Sequence, residues 1–203
     1  MGTTEKLNNT ALPDSAEVGV SNAPLERLKK AAAGDSQAFS DIYDLYALRI
    51  FSFASHMVGM REDAEDITQN TFFLAFRNLK SLRELDHFEQ WLYKIARNEV
   101  YKRRRKWKLR PESLDDNEKG LIHVLKSTDP AANPEHQLIS AELGQRIRTV
   151  FNKLPMQYRE TLVLAILQGL SYQEISGIVG RSISSVKMDV HRARLMITEK
   201  MQK

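Results

Sequence analysis

Between Trp91 and Arg110 the sequence WLYKIARNEVYKRRRKWKLR sets nine Lys and Arg against one carboxylate, Glu99. This short segment holds most of the chain's excess positive charge. Trp91, Tyr93, Tyr101 and Trp107 are interleaved with the cations, and unpaired bases stack on such rings for about 1–3 kcal/mol each. Backbone phosphate attraction and base stacking together describe a nucleic-acid surface. An anionic lipid surface is the other reading of a cationic face, but no long apolar face accompanies this one.

A second cluster reads LSYQEISGIVGRSISSVKMDVHRARLMI, from Leu170 to Ile197. Ser171 and Glu174 have capping-box spacing, which fixes a helix start. Ile175 and Val179 point inward, Ser176 is small enough for a close helix crossing, and Gly180 makes the tight turn. Ser182 caps a second helix whose Ile183, Val186 and Val190 pack back on the first. Ser184, Ser185, Lys187, Met188 and His191 are left facing outward, and Arg181, Lys187, Arg192 and Arg194 supply charge. A helix-turn-helix reads DNA with such a face; an ordinary helical hairpin with a solvated second helix is the alternative. Asp189 is out of place there, since a carboxylate near phosphate is repelled unless it accepts from cytosine or pairs with a neighbouring Arg.

A third group, Glu62, Asp63, Glu65 and Asp66, makes an acidic first turn. It complements a helix dipole and can equally pair with basic residues on a partner. No further ligand near these carboxylates suggests a metal. The five histidines are dispersed, with His56 and His87 read as core or loop residues. No phosphate loop and no nucleophile-base set appears, so no enzyme activity, cofactor or metal is expected.

The 203 residues, 42% of them hydrophobic, suffice for one ordinary domain or two small ones. Lys and Arg number 30 against 26 acidic residues, and there is no cysteine, so neither a disulfide framework nor a thiolate zinc site is available. No leader or membrane-length apolar run is apparent, which points to a cytoplasmic protein without membrane insertion.

The positioning elements are helical. Residues 1–23 are polar and aperiodic and are expected to be a disordered tail. From Pro24 a helical rhythm begins; Phe39, Ile42, Tyr43, Tyr46, Ile50 and Phe53 make one stripe, which Gly59 ends. A second helix is predicted from about Asp63 to Leu79, with Ala64, Ile67, Thr71, Leu74 and Ala75 inward. A third starts near Phe88, turns Leu92, Ile95, Ala96 and Val100 inward, and stops at Pro111. Residues 111–136 hold six acidic and two basic residues with three prolines, the composition of an acidic linker. Leu143, Ile147, Val150, Phe151 and Leu154 form another stripe, and a helix from about Met156 to Gln168 ends at Gly169. The fold is therefore read as all-α, two small helical domains joined by a flexible acidic linker.

DAEDITQNTFFLAFRNL, then FEQWLYKIARNEVYKRRRK, then LPMQYRETLVLAILQGL running into the helix-turn-helix, resemble in order the two domains of an extracytoplasmic-function sigma factor of the sigma-70 family. The resemblance covers roughly Asp35 to Lys108 and Leu138 to Met201. It implies a region 2 helical bundle over 24–110, a linker over 111–137 and a region 4 helix-turn-helix over 138–203. It also implies binding to bacterial core RNA polymerase and promoter DNA, promoter opening and transcription initiation, in a stress or envelope response and under an anti-sigma factor. The other reading is a conventional helix-turn-helix regulator.

By the same resemblance, Asp63, Asp66, Gln69, Thr71 and Phe72 dock on core polymerase, with Asn70 where the family usually has Glu and Phe76 where Trp is common. The loop Leu82, Arg83, Glu84, Leu85, Asp86 and His87 captures a flipped base of the minus-ten element. Trp91, Asn98, Lys102, Arg103, Arg104 and Arg105 serve the same element, Asn98 having the groups to address an adenine edge. Arg181, Ser182, Ser184, Ser185, Lys187, Met188, His191 and Arg192 face the minus-thirty-five element. The acidic linker is implied to thread through polymerase towards the RNA channel.

Overall fold

The computed structural model describes residues 25–109, 146 and 149–202; residues 1–23, the expected linker, and Leu143 and Ile147 of the stripe ahead of Pro155 lie outside them, while Val150, Phe151 and Leu154 of that stripe are buried. Seven helices are described: α1 (Leu25–Ala32), α2 (Ser36–Val58), α3 (Arg61–Asn78), α4 (Phe88–Lys108), α5 (Met156–Leu162), α6 (Tyr172–Val179) and α7 (Ile183–Met201). No strand occurs among the described residues, and no described helix is long and apolar enough to cross a membrane.

The rhythm that begins at Pro24 is two helices rather than one. Asp35 caps α2 by accepting from the backbone N–H groups of Gln37 and Ala38, which satisfies donors that a new helix start leaves open. The predicted stripe then buries Ile42, Tyr46, Ile50 and Phe53 completely or nearly so, while Tyr43 lies at its edge, with its ring edge-on to Phe72 of α3. Helices α1, α3 and α4 all pack on α2. Edge-to-face ring pairs, Tyr46 with Phe88 and Phe53 with Tyr93, join α2 to α4, each adding about 0.5–1.5 kcal/mol beyond burial.

Two short 3₁₀ turns, Leu79–Ser81 and Leu85–His87, carry the chain from α3 to α4. Leu82 and Leu85 pack partly onto the core, and α1 touches both turns. The loop is thus braced from beneath.

In the C-terminal part, α5 widens into a single π-helical turn over Val163–Leu167. The capping box at Ser171 is complete, with the Ser171 hydroxyl and the Glu174 carboxylate each bound to the other residue's backbone N–H. Gly180 ends α6 at φ 70°, a left-handed conformation that a side chain would strain. Ser182 caps α7 by accepting from the Ser185 N–H. Val186, Val190 and Ala193 are buried between α7 and its neighbours α5 and α6. Ile183 departs from the predicted inward set: it stands in the first turn, beyond the crossing, and is 42% exposed.

The two helical units do not stand apart. Helix α4 packs on α6, and α2 packs on α5 and its π turn, so that one apolar core runs through both.

Candidate nucleic-acid interface

Helix α4 divides its side chains by angle. Leu92, Ala96 and Val100 enter the core, whereas Asn98, Lys102 and Arg105 are exposed and Trp91 is half-buried against Phe88. Positions 91, 98, 102 and 105 recur at helical spacing and share one face. That face carries a half-buried ring, an amide and two cations, the groups that stacking, base-edge hydrogen bonding and phosphate contact require.

Two predicted members of the basic run point elsewhere. The Arg103 guanidinium binds Asp63 and lies 3.7 Å from Asp66, which ties α4 to α3. Arg104 donates to the Met57 carbonyl at 3.2 Å, and burial lowers its pKa. Both are fastened within the protein because their positions on the helix turn them towards α2 and α3. Tyr93, counted among the aromatic candidates, is wholly buried. In the preceding loop, Arg83, Glu84, Asp86 and His87 are exposed and only Leu82 and Leu85 are turned inward. The His87 ring approaches Glu84 to 3.5 Å.

Among the residues predicted to dock on polymerase, Asp66 and Gln69 are exposed on α3, beside exposed Glu62, Asn70, Phe73 and Phe76. Asp63, Thr71 and Phe72 are buried. Asp63 is taken up by Arg103, Thr71 donates to the Ile67 carbonyl at 2.7 Å, and Phe72 packs against Tyr43. Spacing placed all five on one helix; burial divides them between two faces.

On α7, Ser184, Lys187, Met188, His191 and Arg192 are exposed, as is Ser182 ahead of the helix, while Ser185 is half-buried. The Lys187 ammonium lies 5.8 Å from the Tyr172 ring centre. Asp189 is buried and accepts from Arg181 and, at 2.9 Å, from Gln157. It therefore offers no carboxylate to an approaching phosphate, and Arg181 is held by it across the turn.

Sequence reasoning overlooked a set of polar residues joining the two units. The Arg97 Nε donates to Glu160 Oε1 at 2.6 Å, and the Tyr101 hydroxyl donates to Glu160 Oε2 at 3.0 Å. The Tyr93 hydroxyl donates to Gln168 Oε1 at 2.8 Å. Arg49 donates to the Gln168 carbonyl at 3.0 Å and pairs with Glu89 at 2.7 Å. Burial raises the pKa of both Glu160 and Glu89, opposed by Arg97 in the first case and Arg49 in the second. The signal was present in the sequence: Arg49 and Arg97 lie on or beside apolar stripes, and Glu160 precedes the run TLVLAIL. A charge in such a position needs a partner from another element.

Residues 42–109 match the family model for sigma-70 region 2, and residues 144–197 that for sigma-70 region 4. The chain is 35% identical over 173 residues to the ECF RNA polymerase sigma factor SigW of Bacillus subtilis, covering 83% of this chain and 91% of that protein. It belongs to the extracytoplasmic-function sigma factors. Similarity extends to the sigma-E factor of Escherichia coli K12, 32% identical over 180 residues, covering 88% of this chain and 92% of that one. In fold, the sigma factor is similar to RpoE of Bartonella quintana, solved with the anti-sigma factor NepR, at a TM-score of 0.63 and 23% identity over 82% of this chain and 98% of that one. It is likewise similar to CnrH, solved with the cytosolic domain of CnrY, at 0.62 and 21% over 89% and 97%. A sigma factor directs transcription initiation by RNA polymerase, and a conventional regulator is not favoured.

Proposed function

We propose that this sigma factor reads the minus-ten element with the loop from Leu82 to His87 and the α4 face of Trp91, Asn98, Lys102 and Arg105. In this reading α7 reads the minus-thirty-five element through Ser184, Lys187, Met188, His191 and Arg192. The observation that carries it is the sorting of α4: side chains suited to DNA share one solvent face directly after an exposed loop, while Arg97, Arg103 and Arg104 are bound within the protein. A base in a duplex hides its Watson-Crick edge, so the loop acts on a flipped base, at an unstacking cost of a few kcal/mol.

Core polymerase docks on the exposed side of α3 through Asp66 and Gln69, with Phe73 and Phe76 as apolar neighbours. Asp63, Thr71 and Phe72 support that surface from inside, and Arg103 and Arg104 support the α4 face. Region 2 spans 24–110 and region 4 spans 138–203, with 111–137 as the linker between them. The protein works in the cytoplasm without catalytic activity, in a stress or envelope response. An anti-sigma factor restrains it, as suggested by the complexes in which both similar folds were solved.

Exchange of the loop tests the central assignment. Replacing Arg83, Glu84, Asp86 and His87 by the residues of a relative with another minus-ten preference, with Leu82 and Leu85 retained, should reorder transcription across a panel of minus-ten variants. Polymerase binding and minus-thirty-five preference should stay as they were. An unchanged ranking would move minus-ten choice off the loop.

A further inference from the structure

Arg181 immediately precedes Ser182, the residue that caps α7. This is the end at which a recognition helix enters the groove and its flanking side chains meet phosphate. A cation there is placed for the DNA backbone, yet the Arg181 side chain is only 25% exposed, and the Asp189 side chain that holds it 3%. Lys187 and Arg192, further along the same helix, are exposed.

Asp189 stands nearly two turns into α7, on the edge turned towards α5. Its two oxygens are divided: Oδ1 accepts from the side-chain amide of Gln157 on α5 at 2.9 Å, and Oδ2 accepts from Arg181. A carboxylate at that depth requires compensation, which Arg181 supplies. The start of the Arg181 side chain is fixed as well. Its carbonyl accepts from the Ser176 hydroxyl at 2.5 Å, and Gly180 ahead of it turns the chain at φ 70°. Glu160, raised in pKa by burial and drawn down in part by Arg97 and Arg181, already binds Arg97 and Tyr101 through its two oxygens. Asp189 is therefore the carboxylate that keeps the Arg181 guanidinium inside.

We infer that Asp189 is a positioning residue that withholds Arg181 from promoter phosphate, and thereby sets how much base-specific contact a minus-thirty-five element must supply. The inference rests on α7 being the DNA-reading helix, as proposed above. A phosphate contact strengthens binding to every sequence alike. Keeping one cation inside lowers that shared contribution and leaves the choice of sequence to Lys187, Met188 and their neighbours. One buried carboxylate thus tunes promoter stringency without touching DNA.

Asp189→Asn retains the shape and a hydrogen bond for Gln157 while removing the charge that holds Arg181. The probe is a promoter duplex selected by the polymerase complex from a random-sequence library, together with a copy whose minus-thirty-five element is scrambled. In complex with core polymerase, Asp189→Asn should bind both duplexes more tightly than the parent, by the same factor. One added phosphate contact steepens the salt slope by about 0.9, so the gain at about 50 mM salt should exceed that at about 200 mM by roughly threefold. Adding Arg181→Ala to Asp189→Asn should remove the gain, while Arg181→Ala alone should leave the parent's slope unchanged. Asp189→Ala gives a second route to release, and all chains are compared at a temperature where their helicity equals the parent's. An unchanged slope in both Asp189 variants overturns the inference. So does a shallower slope in Arg181→Ala alone, which puts Arg181 on phosphate already in the parent. A gain confined to the intact element also overturns it, because Asp189 then acts on base contacts. A parent that binds the two duplexes alike overturns the α7 reading itself, and the inference with it.

Discussion

The Asp63 carboxylate at the start of α3 is bound by the Arg103 guanidinium in the later turns of α4, with Asp63 only 3% exposed and Arg103 35% exposed. One ion pair thereby locks the helix proposed to meet polymerase to the helix proposed to meet DNA. Removing one partner of a fully buried pair costs about 3–5 kcal/mol. The solvent access of Arg103 lowers that expectation.

Asp63→Ala should therefore destabilise the fold by about 2 kcal/mol, read as a lower urea midpoint. Asp66→Lys with Gln69→Lys should lower the midpoint by about 1 kcal/mol or less, since Asp66 is exposed and its 3.7 Å pairing with Arg103 is open to solvent, and should weaken retention on core polymerase. If the exposed pair lowers stability and Asp63→Ala does not, the division of α3 into a buried and a docking face is wrong.

Lys187 and Arg181 should separate in the same way. Lys187→Ala is expected to cost about 1–3 kcal/mol of promoter binding by the polymerase complex if it reads a base, or to reduce the salt slope by about one if it holds a phosphate. Arg181→Ala leaves Asp189 buried with Gln157 alone, and its main effect should be a lower thermal midpoint. Promoter titrations at two salt concentrations and a melting curve distinguish the two behaviours.

Acid should weaken the fold through His56. Its ring is buried, its Nδ1–H donates to the Ser52 carbonyl at 2.7 Å, and Phe151 lies edge-on at 5.9 Å. Burial lowers its pKa below 6.5, with the Ser52 hydrogen bond opposing. A depressed histidine stabilises the fold fully above 6.5 and loses that contribution as pH falls through the folded value. Glu89 and Glu160, raised by burial, have the opposite sense: their contributions are full below about 4.5 and decline as pH rises through their folded values. Comparing urea midpoints at pH 7.5 and 5.5 for the parent and His56→Leu isolates the histidine. The parent should lose more stability on acidification than the variant, and equal losses would remove His56 as the source.

The helices were legible where period and caps agreed. Ile42, Tyr46, Ile50 and Phe53 declared the α2 stripe, and Ser171, Glu174, Gly180 and Ser182 marked α6 and α7 almost to the residue. The break at Gly34 and Asp35 was not read, although Asp35 is an ordinary helix-capping type. Functional residues were less legible because a motif gives a position along a helix, whereas exposure depends on the angle at which neighbouring helices cross. Asp63 and Asp66 differ by one turn, and so do Arg103 and Lys106, but only packing reveals which is spent internally. The seam of Arg97 with Glu160 spans 63 residues of sequence, beyond what helical spacing can relate.

Because Leu28 and Ala31 bury α1 against α2 while α1 also touches both 3₁₀ turns of the loop, the loop is not an independent cassette. Libraries built to give sigma factors mutually orthogonal promoters should vary α1 together with Leu82 and Leu85. A grafted tip arriving without its own buttress inherits a support shaped for another sequence, and selectivity is then lost through misplacement of correct residues.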